Sequence, residues 1–232
     1  MFFRQAGGNA DERLTQWRAF AREFELEGAD DLAESLQQQF GLYDCEQDHV
    51  HALMRQGQPM LVVFDKQRQR SGPTGSVSNL HTFVAVRGVR PQSAPPMRAT
   101  ARRGKALEAL EAGRSGARRL SLNNVPDFDD SVSVYTREPN TARAVLTPPV
   151  RTVLRRLILA ADEAMLAANG SEAGAATSVG PSLVVGQRDL LLCLEPRRPL
   201  PVTALGGLLA DMLSLHVALD DAGRRLADAQ LD

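Results

Sequence analysis

The densest group of side chains able to do chemistry is Asp44-Cys45-Glu46-Gln47-Asp48-His49-Val50-His51. In an extended chain, residues two apart share a face, so His49 and His51 form a pair of imidazoles with carboxylates beside them. A zinc-type ion takes three or four convergent donors, and His49, His51 and Asp48 or Cys45 supply part of such a set. The spacing matches no specific zinc motif, and the polar face of a solvated strand accounts for the same residues.

A second concentration is electrostatic. Residues 87–119 hold Arg87, Arg90, Arg98, Arg102, Arg103, Lys105, Arg114, Arg118 and Arg119 against Glu108 and Glu111. Residues 1–50 run the other way, with eleven acids against four arginines, and the net charge of -1 conceals both. Cations gathered on one surface displace counterions from a nucleic-acid backbone; the candidates are Arg98, Arg102, Arg103, Lys105, Arg118 and Arg119. No Phe, Tyr or Trp occurs between Arg87 and Arg119, so this surface would grip phosphates without stacking bases. Arg151, Arg155 and Arg156 extend the face if they share a helix, where positions i and i+4 are neighbours. Contact between the two oppositely charged regions, or plain solvation, explains the same asymmetry.

Two further histidines and a cysteine have catalytic side chains without visible partners. His81 lies in Leu80-His81-Thr82-Phe83-Val84-Ala85-Val86 and His216 on the apolar side of a helical stretch; each is a general base only if a carboxylate closes on it. A packed ring with one satisfied hydrogen bond is the plainer account. Cys193 stands among leucines, where a thiol acts as a small apolar group and its pKa rises. There is no Gly-x-Ser-x-Gly, and Gly72-Pro73-Thr74-Gly75-Ser76 precedes neither the lysine nor the helix of a phosphate loop. No catalytic residue is assigned, and no cofactor is expected.

Periodicity gives the elements that must position these residues. Leu14, Trp17, Phe20, Ala21 and Phe24 mark a helix from Asp11 to about Leu26, and Leu32, Leu36 and Phe40 a second, with Gly28 between them. From His49 the period drops to two: Val50, Ala52 and Met54 alternate with His49, His51, Leu53 and Arg55. Residues 60–64 and 80–86 follow across short loops, which predicts an antiparallel three-stranded meander. Pro91, Pro95 and Pro96 break the chain, residues 104–113 suit a short helix, 118–122 a strand and 123–127 a turn. Beyond it, residues 131–136 alternate as a strand, with Val132, Val134 and Thr136 opposite Ser131, Ser133 and Tyr135. Asn140-Thr141 caps a short helical turn, and Thr147-Pro148 opens a long helix with the stripe Val150, Leu154, Leu157, Ile158, Ala161 and Met165. Residues 182–194 form a hairpin, and Pro201 starts a final helix through Leu205, Leu208, Met212, Leu215 and Leu219.

The expected fold is therefore α+β, with antiparallel strands in one or two sheets and long amphipathic helices at 148–169 and 202–228 packed on one face. Residues 1–124 and 125–232 form its two halves, packed as one globular unit. With 232 residues, 43% of them hydrophobic and 24% charged, the chain can fill one sizeable core or two small ones. The longest apolar runs, at 157–161 and 190–194, fall far short of the roughly 18 residues that span a bilayer, so no membrane insertion is expected. Two distant cysteines suit a reducing compartment, and the start lacks the apolar stretch of a signal peptide; both favour the cytoplasm.

Gly57 before Phe64-Asp65, the segment 80–86, Val134-Tyr135 followed by Ala142-Arg143-Ala144-Val145-Leu146, and the hairpin 183–194 together resemble, in layout, uncharacterised bacterial proteins with domains of unknown function. That resemblance implies no catalytic residue and no ligand. The leading expectation is a soluble, non-enzymatic interaction protein whose apolar helices can serve a homodimer or a protein partner. The alternatives are a nucleic-acid-associated protein using the 87–119 arginines and a metal-dependent enzyme using the Asp44–His51 cluster.

Overall fold

The computed structural model describes residues 7–29, 49–72, 75–88, 95–102, 117–122, 125–169, 180–186, 189–196 and 200–229. Helix α1 (Gly7–Glu23) leads into a two-residue strand β1 (Glu27–Gly28). The strands β2 (His49–Arg55), β3 (Met60–Gly72), β4 (Gly75–Arg87), β5 (Met97–Ala101) and β6 (Arg118–Leu120) follow. A one-turn helix α2 (Pro126–Asp129), strand β7 (Val132–Thr136), short helix α3 (Pro139–Val145) and long helix α4 (Pro148–Asn169) come next. The hairpin β8 (Ser182–Val185) and β9 (Asp189–Leu194) and the last helix α5 (Val202–Asp228) complete the order.

The strands join one antiparallel sheet in the order β1-β2-β3-β4-β9-β8-β5-β7-β6. The expected meander and hairpin are both present, and β4 joins them by pairing Thr82–Arg87 with β9. β5 then lies between β8 and β7, so a single sheet runs through residues from both halves of the chain.

The helices cover one face of this sheet. Alternate residues Leu61, Val63, Val84, Val86, Leu190, Leu192, Leu183, Val185, Met97, Ala99, Val132 and Val134 enter one apolar cluster with the helices. From α4 it takes Val150, Leu154, Leu157, Ile158, Ala161 and Met165, the stripe read from the sequence, and from α5 Leu205, Leu208, Leu209, Met212, Leu215 and Leu219. Each such leucine contributes about 1.5–3 kcal/mol by leaving water. On the opposite face a smaller cluster holds Ala52, Val62, Phe64, Phe83, Ala85 and Leu191, with the Phe64 and Phe83 rings stacked 4.7 Å apart. β3, β4 and β9 are therefore apolar on both faces, which is why they read as near-continuous apolar runs.

Several expectations need correction. Residues 97–101 form β5 although the prolines before them suggested irregular chain: Pro95 and Pro96 lie outside the strand, and Met97, Ala99 and Ala101 alternate with Arg98 and Thr100. The turn assigned to 123–127 passes into α2, started by Pro126 at the first helical position. α1 stops at Glu23, where Glu25 takes a φ of 54° and the Leu26 N–H donates to Ala21 O at 2.7 Å; Gly28 belongs to β1. In β7 both faces are buried, Ser133 and Tyr135 included. The helices expected over 31–40 and 104–113 lie outside the described residues.

α5 also corrects the reading of membrane compatibility. By length and composition it is apolar enough to cross a bilayer. Asp211 and Ser214 interrupt its apolar run in the sequence. Here its apolar stripe packs against the sheet and α4.

Candidate functional site

Two of the cations singled out in the sequence, Arg102 and Arg119, meet at one end of the sheet, around α2. Pro126 opens this turn and Phe128 anchors it in the core, 3% exposed. Asp129 ties it down: its Oδ2 accepts from the Leu122 N–H at 2.8 Å and from the Ser121 hydroxyl at 3.0 Å. The Asp129 carbonyl accepts from Arg102 Nη1 at 3.0 Å and Arg119 Nη2 at 3.2 Å, and Arg102 also pairs with the Asp130 carboxylate. Two arginines far apart in sequence thus converge on one peptide group.

The first turns of α4 lie against the other side of α2. Arg155 Nε donates to Ser131 Oγ at 3.2 Å, while that hydroxyl donates to Asp127 O at 2.8 Å. Between the two helices is an open hollow of about 250 Å³, lined by Val125, Asp127, Phe128, Pro148, Arg151, Thr152 and Arg155. Arg151 and Arg155, one turn apart, share this face of α4. Thr152 Oγ1 is occupied with Pro148 O at 3.0 Å. The lining therefore presents two guanidinium groups and one carboxylate above an apolar floor of Val125 and Phe128. Guanidinium groups placed in this way can offer forked, charge-assisted hydrogen bonds to an anion.

Of the cations singled out in the sequence, Arg102 and Arg119 belong to this corner. Arg118 is exposed on β6, in register with Thr136. Arg98 stands mid-sheet on the face away from the helices, its Nε donating to Ser182 Oγ at 2.8 Å. Arg103 and Lys105 lie outside the described residues. Arg156 does not extend the face; it pairs with Asp211 of α5, Nη2 to Oδ1 at 2.6 Å. The hollow itself was not read from the sequence because residues 123–127 looked like a bare turn; Pro126 followed by Asp127 and Asp129 was the available signal of a helix start.

His49 and His51 open β2, in register with Gln67 and Asp65, while Asp48 and Cys45 lie outside the described residues. Among the described residues no group of three His, Cys, Asp or Glu could hold an ion. His216 is 5% exposed on α5, with Nδ1 3.5 Å from Asp220 Oδ2; neither Nδ1 nor Asp220 Oδ1 has a hydrogen-bond partner among the described residues. Its Nε2 lies against the backbone of Gly88. Cys193 keeps part of its surface open, yet burial pushes its thiol up to about 12, with Arg98 pulling weakly the other way. It is a packing residue rather than a nucleophile.

Compared with protein-family models, curated proteins and solved structures, the chain matches none. The layout resemblance consequently lends no residue a role, and the corner is judged on its own chemistry.

Proposed function

We propose that this protein is a non-enzymatic binding protein whose ligand presents phosphate groups to the corner between α2 and α4. The observation that carries this is the pair Arg151 and Arg155 lining one hollow beside Arg102 and Arg119, four arginines from three separate chain segments. Arg102, paired with Asp130, and Arg119 are held on the Asp129 carbonyl and fix the position of α2, while Arg151 and Arg155 supply the ligand contacts. Asp127, the acid of the lining, opposes an anion, so binding rests on the excess of Arg151 and Arg155 over it.

Calorimetric titration with tripolyphosphate tests this. Saturable binding at 50 mM salt, weakened at least tenfold in an Arg151→Gln, Arg155→Gln variant, is the expected result. Identical affinity in the two proteins sinks the proposal.

A second reading, self-association through the helix layer, is favoured by Leu159 and Leu166, two turns apart on α4 and 38% and 48% exposed. Sedimentation of the native protein and of Leu166→Glu decides it: a dimer lost in the variant supports it, and a monomer in both rejects it.

A further inference from the structure

We propose that two copies of this chain pair through the outer face of α4, antiparallel, about a two-fold axis beside Leu159. This rests on the self-association reading above and gives it a geometry. Around Leu159 the sequence runs Arg155-Arg156-Leu157-Ile158-Leu159-Ala160-Ala161-Asp162-Glu163. The two arginines stand four and three residues before Leu159, and the two acids three and four residues after it. On a helix those offsets all return to the side of the central residue, so one stripe of α4 carries cations, a leucine and anions in turn. Leu157, Ile158 and Ala161 turn the other way and are buried. Arg155, Arg156, Leu159 and Glu163 are exposed, and Asp162 is half-buried.

Such a stripe is complementary to itself. A closed homodimer uses one patch twice, so that residue i meets residue j and j meets i. A half-turn that lays Leu159 on Leu159 of the second copy brings Arg155 and Arg156 to Asp162 and Glu163 of that copy, and the same contacts recur at the other end. A parallel pairing would set arginine on arginine and acid on acid; flanking charges choose the orientation of paired helices in this way. Positions seven residues from the centre keep to the same seam, where Leu166, 48% exposed, meets Thr152 of the second copy.

α5 widens the patch. The Arg156–Asp211 pair sets it beside α4, and less than half of its most apolar stretch is buried. Its outward stripe includes Ala210, Ser214 and Val217, the last 60% exposed. A stable interface buries about 1,000 Å² or more in all, which calls for this surface as well as the α4 seam. Arg155 also lines the hollow, so a second copy and an anion draw on one guanidinium.

The test is sedimentation equilibrium in 50 mM salt, without polyanions, of the native protein, an acidic Arg155→Glu, Arg156→Glu variant and a basic Asp162→Arg, Glu163→Arg variant. The native protein should be a dimer, and each variant, with like charges across the axis, should dimerise at least about tenfold more weakly. An equimolar mixture of the two variants should recover the dimer, because every acid then meets a base. Glu163→Arg alone, at an exposed position, guards against misfolding of the double variants and should weaken the dimer by about threefold. Native affinity in all three variants, or a mixture of folded variants that stays monomeric, overturns the antiparallel arrangement; a dimer still lost in Leu166→Glu would then leave self-association standing without it. A native monomer defeats both, and capture of that monomer by phosphatidylcholine vesicles would assign the face to a membrane surface instead.

Discussion

The two faces of the sheet solve different problems with the same strands. The helix-covered face takes branched and unbranched aliphatic residues from across the sheet and seals them under α4 and α5. The other face interleaves a small apolar cluster with Arg87, Arg98, Arg119, Ser182, Tyr135 and Cys193. Every polar group there must find a partner or keep its water, so the face is set by paired geometry as well as by volume. Buried aliphatic volume concentrates on the first face, and charge on the second and at the end of the sheet.

The sharpest way to break this contrast is to make a cavity on each face. Leu157→Ala, at 0% exposure on the buried side of α4, should cost about 2–5 kcal/mol, while Val184→Ala, 40% exposed on the far face, should cost under about 0.5 kcal/mol. Denaturant melts of the two variants read this directly; equal losses would end the distinction.

Next in size is Gly88→Ala. A Cβ at Gly88 collides with Nε2 of His216, and Pro59 Cβ lies 3.5 Å from the same point. The ring is buried and must move, so a loss of about 1–3 kcal/mol is expected. His216→Ala in the same chain should return part of it, giving a coupling of at least about 0.5 kcal/mol in a double-mutant cycle. Strict additivity would show that the ring yields freely.

A smaller effect is expected where the second face is stapled by charge. Arg87 Nε and Nη2 donate to Asp189 Oδ1 and Oδ2 at 2.6 and 3.0 Å across β4 and β9. The bonds to Asp189 raise the guanidinium pKa further, against a lesser opposing effect of desolvation. With side chains 32% and 25% exposed, solvent screens the pair, and Asp189→Asn should cost about 1 kcal/mol. Loss of that difference in 1 M salt would mark it as Coulombic; persistence would mark it as hydrogen-bond geometry.

How much of this was legible follows from the same division. The stripes of α4 and α5, the meander and the hairpin were all readable, because local periodicity and short loops encode them. Insertion of β5 between β8 and β7 was not, since it depends on pairings between residues some 35 and 85 positions apart that no local pattern announces. Arg151 and Arg155 were recognisable as neighbours from their i,i+4 spacing, but their meeting with Arg102 and Arg119 depended on α2.

Cys193 offers the finest probe of the second face. Its thiol pKa is raised from 9.0 to about 12, chiefly because burial penalises the thiolate. A group with a raised folded-state value contributes its full stability below the unfolded value, and that contribution is lost as pH climbs from about 9 toward 12. The slope is at most about 1.4 kcal/mol per pH unit, and partial exposure of the residue reduces it, so the loss by pH 10 is about 1 kcal/mol or less. Cys193→Ala lacks this titration while keeping Cys45, Tyr135 and the lysines. The stability difference between native protein and variant should therefore narrow from pH 8 to pH 10 in urea melts. A constant difference would show that water reaches the thiol and that this stretch of the second face is open rather than packed.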